Sequence, residues 1–278
     1  MKKINTIYII SKGRPHCETA QTLKNMRYEG EWFIVCGNND AKLDQYQTLW
    51  GDKVLVFDWY EEIKNTDTLD NFGFENMPSG AVPVRNATRR ISEERGEKRH
   101  WQFDDDYHSF YIKNPKTGRN HKLNGKLFEK YLYKIANFAD NAELNNCGFA
   151  LPLESLPDTM LHFGQRVFNA HNLPSEKDKF ITWRGRLNDD LINAMETHKY
   201  GKYEMYFKFM TIQMRDTQSE TGGLTDIYQK EGTVRKTAYP ILISPNATQL
   251  TIRYKRYHHK VNWNRLIPKI IHEKWRKT

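Results

Sequence analysis

The chain has 278 residues, 38% hydrophobic and 28% charged, enough to bury a core without disulfide or metal staples, as one large domain or two small ones. Its formal charge is +9 and the excess is local: residues 251–278 hold nine Lys/Arg against one acid, Glu273, which suits a polyanionic partner such as nucleic acid or a solvated basic face. Three widely spaced cysteines, Cys17, Cys36 and Cys147, exclude a zinc-ligand spacing or disulfide framework and fit a reducing, cytoplasmic setting, and no apolar run is long enough to span a membrane.

The N-terminus, MKKINTIYII, is charged and then apolar like a signal peptide. Its apolar part is short and Ser-Lys-Gly-Arg-Pro follows, so residues 6–10 are expected as a first strand. β-Branched and aromatic runs at 31–37 and 53–59 predict two more strands. Between them, Ala20, Leu23 and Met26 share one helical face, and Leu43, Tyr46 and Leu49 share another. Strand and helix in alternation predict a parallel α/β sheet with right-handed crossovers. Residues 60–80 read as a long loop of the kind that is often functional. A helix over 84–97 and a strand over 99–103 follow. The clearest helix is 126–142, with Leu127, Tyr131, Ile135 and Phe138 on one side and Leu132 adjacent. A strand near 146–153 and a helix over 186–201, opened by Asn/Asp and stopped by Gly201, come next. Residues 218–228 are a Gly-containing loop and 249–257 are strand-like. No repeat or linker divides the chain.

The fourth strand runs into three aspartates, Asp104, Asp105 and Asp106. As a charge run alone this is an exposed acidic turn. Open α/β sheets bind ligands at the carboxyl ends of their strands, however, and both Ser11-Lys12-Gly13-Arg14 and the triplet sit at such ends. Strand alternation predicts Asp104 and Asp106 on one side and Asp105 on the other. Two carboxylates on one face suit a hard divalent cation that shares diphosphate oxygens.

The run YIISKGRP, then VPVRNATRRI, then RHWQFDDDYHSF, with RLNDDL, GGLTDIY and a late His-His after it, resembles a nucleotide-sugar glycosyltransferase of the GT-A fold. In detail it is similar to the phage TET-associated glycosyltransferase family, over roughly residues 6–265. Arg85-Asn86, a helix and then Asp-X-Asp is the most specific combination. Here Tyr107 and His108 follow the triplet where many related sites carry an apolar residue.

The resemblance implies a single GT-A-like catalytic domain with a Rossmann-like, mostly parallel sheet flanked by helices. Residues 1–110 would be the nucleotide-sugar half, 111–248 the acceptor half and 249–278 a basic C-terminal segment. It implies a UDP-sugar donor, Mn²⁺ or Mg²⁺, and an acceptor hydroxymethylcytosine in phage DNA within an infected host cell. Ser11, Lys12 and Arg14 would line the nucleotide pocket, with Arg85, Asn86, Asp104 and Asp105 also on the donor side. Asp104 would meet the ribose, Asp106 would ligate the metal, and His258 or His259 would complete the metal site. Asp189 or Asp190, with Asp190 favoured, would take the acceptor proton, as a base must; acids at a helix start also serve as caps.

For the acceptor, Arg253, Lys255, Arg256, Lys260 and Trp263, with Tyr254 and Tyr257, mix cations for phosphates with aromatics for bases. Tyr60, Phe72 and Phe74 of the long loop are candidates for a wedge that helps flip the base. Competing readings are a glycan- or lipid-directed transferase of the same fold, a non-enzymatic nucleic-acid-binding protein, and a metal-dependent nuclease. Neither the sugar, glucose or arabinose, nor the oligomeric state is fixed by these residues.

Overall fold

Successive residues of the first strand, β1 (Thr6–Ile10), are all buried. Ile7 and Ile9 enter one core and Tyr8 and Ile10 another, so both faces of the sheet are covered, as the near-continuous apolar run requires. The computed structural model describes residues 5–70, 80–114, 116–151, 161–163, 166–214, 234–253 and 255–267. After β1 come α1 (Glu18–Asn25), β2 (Trp32–Gly37), α2 (Leu43–Trp50), β3 (Val54–Phe57), α3 (Trp59–Lys64), α4 (Ala81–Glu94) and β4 (Arg99–Asp104). Next are β5 (Tyr107–Lys113), β6 (Asn120–Lys122), α5 (Gly125–Asn141), β7 (Asn146–Ala150), β8 (Leu161–Phe163), β9 (His171–Pro174) and α6 (Asp189–Lys199). The described chain ends with β10 (Glu204–Met214), α7 (Val234–Ile243), β11 (Thr248–Arg253) and β12 (Arg256–Val261).

Ten strands form one sheet in the order β3-β2-β1-β4-β9-β7-β10-β5-β6, with β8 on β10. The first four are mutually parallel, the part read from the sequence as alternating strand and helix. Antiparallel strands are confined to the second half, where β9 pairs antiparallel with β4 and β5 with β10. Strand β10 spans two bands: Glu204–Phe207 pairs with β7, the register shifts, and Met210–Met214 pairs with β5. Strands β4 and β5 are separated by two residues, Asp105 and Asp106, but pair with different neighbours.

One core lies between the sheet and α1 and α5, with Trp101 and Phe103 of β4 against Phe128, Leu132 and Ile135. Phe110 stacks on Phe128 with ring centroids 4.3 Å apart. The opposite core packs α4 (Val84, Ala87) and Trp183 on Tyr8, Ile10 and Val35. A third joins α6 and α7 through Leu191, Met195, Tyr239 and Ile243.

Several expectations shift by a turn or a face. Helix α5 buries Phe128, Leu132, Ile135, Ala136 and Ala139, whereas Leu127 and Phe138 are exposed. The small Ala136 and Ala139 let the helix approach the sheet, and the Asn124 side chain caps its start by accepting from the Leu127 N–H at 2.9 Å. In α2 Tyr46 is buried but Leu49 is exposed. The segment 60–80 opens with helix α3, capped by Asp58, so Tyr60 is a helical surface residue; Phe72 and Phe74 lie outside the described residues. Gly201 ends α6 at φ 68°, the left-handed geometry that glycine adopts without strain. All three cysteines are buried. No helix among the described residues is long and apolar enough to cross a membrane.

Candidate active site

The carboxyl ends of β1 and β4 bring Ser11, Arg14 and the aspartate triplet together. The alternation argument fails at the triplet, because β4 ends at Asp104 and Asp105–Asp106 form the turn into β5. Asp105 is the structural member. Its carboxylate accepts from Ser11 Oγ at 2.5 Å and from Arg14 Nη1 at 2.6 Å. Ser11 Oγ also meets the Tyr46 hydroxyl at 2.6 Å, and that hydroxyl accepts from the Arg14 N–H. Thr19 clamps the turn from α1: its Oγ1 donates to the Asp104 carbonyl at 2.6 Å and accepts from the Tyr107 N–H at 2.8 Å. Lys12 points elsewhere, donating to Asn39 Oδ1 at 2.7 Å with its ammonium over the Trp59 ring.

Asp106 differs from its neighbour. Its Oδ1 is buried with no hydrogen-bond partner among the described residues. Burial pushes its carboxyl up to about 7, and the like charges of Asp104 and Asp105 add to the rise. A buried carboxylate with an orphaned oxygen beside other carboxylates fits a hard divalent cation, which would supply the missing partner and relieve the repulsion. Among the described residues no three His, Cys, Asp or Glu side chains are grouped to hold a metal. Mg²⁺ and Mn²⁺ commonly complete such two-carboxylate sites with water and phosphate oxygens.

Arg85, buried on α4, ties this edge to α6. Its Nη2 reaches Asp104 Oδ1 at 3.3 Å and its Nε donates to Asp189 Oδ2 at 2.9 Å. Trp183 lies against the guanidinium, and the Gln102 side chain donates to the Arg85 carbonyl. Arg85 Nη1 is buried without a partner among the described residues. Asn86 exchanges two hydrogen bonds of 3.0 Å with the Trp183 backbone, fixing α4 to the segment that leads into α6. The Tyr107 hydroxyl donates to Asp104 Oδ2 at 3.2 Å and accepts from the Ala170 N–H, so the departure after the triplet positions Asp104.

The start of α6 repeats the division of labour. Asn188 enters in the left-handed region at φ 59°, and its side chain donates to the Lys236 carbonyl on α7 at 2.7 Å. Asp189 is buried in its pair with Arg85; burial pushes its carboxyl up and Arg85 works against that rise. Asp190 is more open, with Oδ1 accepting from the Leu191 N–H and Oδ2 3.3 Å from Arg166 Nη1.

His258 and His259 are on β12, and Arg166 and Lys236 are charged neighbours of His259. Burial, with Arg166 and Lys236, lowers its pKa to about 4. Arg253, Lys255, Arg256 and Lys260 are exposed on the β11–β12 hairpin. Trp263 is not free to stack on a base, because it packs on the α6–α7 core with its ring 5.1 Å from that of His198. Tyr254 lies outside the described residues. Arg166 and Lys236 carry no local sequence signal; only the tertiary fold brings them near the α6 acids.

Two solved structures of similar shape are "Crystal structure of S. aureus TarS 1-349", 12% identical over 76% of this chain with a TM-score of 0.44, and "Crystal structure of S. aureus TarS", 11% identical over 76% with a TM-score of 0.44. The chain covers 59% and 36% of their respective lengths. No curated protein matches it. A family model described as TET-Associated Glycosyltransferase matches residues 5–223, a span that includes Ser11, Arg85, the aspartate triplet and the α6 acids, and the chain belongs to that family.

Proposed function

We propose that the chain transfers a sugar, glucose or arabinose, from a UDP-sugar to the hydroxymethyl group of 5-hydroxymethylcytosine in DNA, using Mn²⁺ or Mg²⁺. The observation that carries this reading is the row Asp104–Arg85–Asp189, with the orphaned Asp106 at one end and Asp190 at the other. It links a donor side to an acceptor side through one guanidinium.

Glycosyl transfer passes through an oxocarbenium-like state while charge grows on the leaving diphosphate. A cation held by Asp106, with Asp104 beside it, would neutralise that charge as a Lewis acid. Asp104, held by Arg85 and Tyr107, would accept from a ribose hydroxyl. The unpartnered Arg85 Nη1 offers a donor to a phosphate oxygen. Asp190, the more open acid, takes the acceptor proton, and Asp189 stays committed to Arg85. The exposed cations Arg253, Lys255, Arg256 and Lys260 support a nucleic-acid acceptor.

The test is mass spectrometry of nucleosides from hydroxymethylcytosine DNA after incubation with a panel of UDP-sugars and Mn²⁺. One donor should add a hexose or pentose mass to the modified nucleoside; no added mass with any donor removes the reading. Calorimetry of UDP with Mn²⁺ should show a loss of binding in Asp106→Ala. Equal binding removes the metal assignment alone.

A further inference from the structure

We infer that the β11–β12 hairpin is a β-ribbon that enters the major groove of duplex DNA, with its apolar face on the base edges and its cations on the flanking phosphates. This deepens the reading of the chain as a DNA-directed transferase and rests on it. Among the described residues the two strands pair only with each other, apart from the ten-stranded sheet. Both lie beyond the residues matched by the family model. Residues 232–272, which contain the hairpin, hold no Asp or Glu.

The ladder fixes what each face carries. Thr248 pairs with Val261, Leu250 with His259 and Ile252 with Tyr257, so these six share one face. Its inner end is covered: Thr248 Oγ1 donates to the Pro240 carbonyl of α7 at 3.0 Å, and Val261 packs on the α6–α7 core. Its outer end is open to solvent, with Leu250, Ile252 and Tyr257 55%, 71% and 46% exposed. The opposite face sets Arg253 across from Arg256 and Lys260 across from Gln249, all exposed. Like charges directly opposite one another destabilise a strand pair, and an anion lying between the two arginines removes that cost.

A flat partner meets only one of these faces. An anionic membrane against the cations would leave the apolar side chains in water, and one against the apolar side chains would turn the cations away. A second copy seated on the apolar face would bury three part-exposed side chains, short of the ~800 Å² that each partner gives a stable interface. A groove meets both faces. The major groove is roughly 12 Å wide and roughly 8.5 Å deep and admits a two-stranded ribbon. Side chains resting on its floor hold the ribbon backbone roughly 5 Å up, half the spacing of packed sheets. The outer-face cations then lie level with the phosphate rims, and the apolar face meets the base edges, where 5-substituents of pyrimidines project.

The mounting fits the chemistry. The Asn188 side chain, one residue before the α6 acids, donates to the Lys236 carbonyl at 2.7 Å, and the next residue, Thr237, donates from Oγ1 to the Tyr257 carbonyl at 3.1 Å. Two hydrogen bonds thus tie the ribbon to the start of α6, beside Asp189 and Asp190.

The experiment uses the full chain and a short fluorescein-labelled DNA duplex, followed by anisotropy across a salt series, with Arg256→Gln and Ile252→Ser as separate variants. Both side chains are exposed, so both variants should melt as wild type does. Arg256→Gln should reduce the slope of log affinity against log salt by roughly 0.9, the value of one phosphate contact. Ile252→Ser should weaken binding roughly tenfold at every salt concentration with the slope unchanged, the scale of one apolar side chain left in water. Dimethyl sulfate should find guanine N7 protected in the wild-type complex and adenine N3 open, since those atoms face the major and minor grooves. Wild-type slope and affinity in both variants overturn the proposal, as does protection of adenine N3 in place of guanine N7. A wild-type dimer in sedimentation, or binding to phosphatidylserine vesicles, that Ile252→Ser abolishes while duplex affinity holds gives the face to a second copy or to a membrane and also overturns it. If wild type transfers sugar to no nucleic acid and yet both variants behave as stated, the ribbon stands and the transferase reading falls.

Discussion

The β4–β5 turn and the start of α6 are two acid pairs built on one plan. In the turn, Asp105 is satisfied by Ser11 and Arg14 while Asp106 keeps a buried oxygen without a partner. At α6, Asp189 is satisfied by Arg85 while Asp190 stays more open beside Arg166. Adjacent, chemically identical side chains thus divide into one tied into the fold by short buried contacts and one held less completely. The cause is the partner each backbone position can reach, since position in the sequence barely differs.

Mutation can break this division, starting with the largest effect. Asp190→Asn should lower kcat by about 10²–10⁴, the range for a lost general base, with a stability change under about 1 kcal/mol because its ion pair is partly exposed. Single-turnover kinetics and urea unfolding on the same protein read both; a large stability loss with normal turnover would reverse the roles of the two α6 acids. Arg85→Met should cost roughly 3–5 kcal/mol, since it strands the buried Asp189 and uncouples Asp104. Asp105→Ala should cost about 2–3 kcal/mol through two lost hydrogen bonds, one of them charged at both ends.

Asp106→Asn should do the opposite and stabilise. The native Asp106 carboxyl titrates near 7 against 3.8 in the unfolded chain. The unfolded state therefore releases its proton first as pH rises, and the native state loses stability between about pH 4 and pH 7. Asn carries no such penalty, so the variant should be more stable above pH 7 by about 1–2 kcal/mol after solvent screening, and its stability should be flatter with pH. Melting curves across that range check this. Mn²⁺ should raise the melting temperature of wild type and leave the variant unmoved.

The parallel half of the fold was legible because buried parallel strands are written as short apolar runs, as in residues 6–10 and 31–37, with periodic helices between them. The face of α5 was not, because large residues at 127, 131 and 138 outweigh Ala136 and Ala139 in any pattern, and small residues are chosen by how close the sheet comes. The triplet was legible as the carboxyl end of a strand but not in its parts. Alternation needs a continuing strand, and this one stops at Asp104. His258 and His259 entered as metal-site candidates through the resemblance alone; the cationic neighbours of His259, Arg166 and Lys236, are 93 and 23 residues away in sequence and leave no local trace.

The three sequestered thiols give the molecule a built-in clock. Cys17, Cys36 and Cys147 share one core but sit on different elements, on the approach to α1, on β2 and on β7, and burial holds Cys147 up to about 12. An alkylating reagent at neutral pH meets no reactive thiolate until the chain opens. The rate of labelling at each cysteine, resolved by peptide mass, would therefore report which part of the sheet opens first.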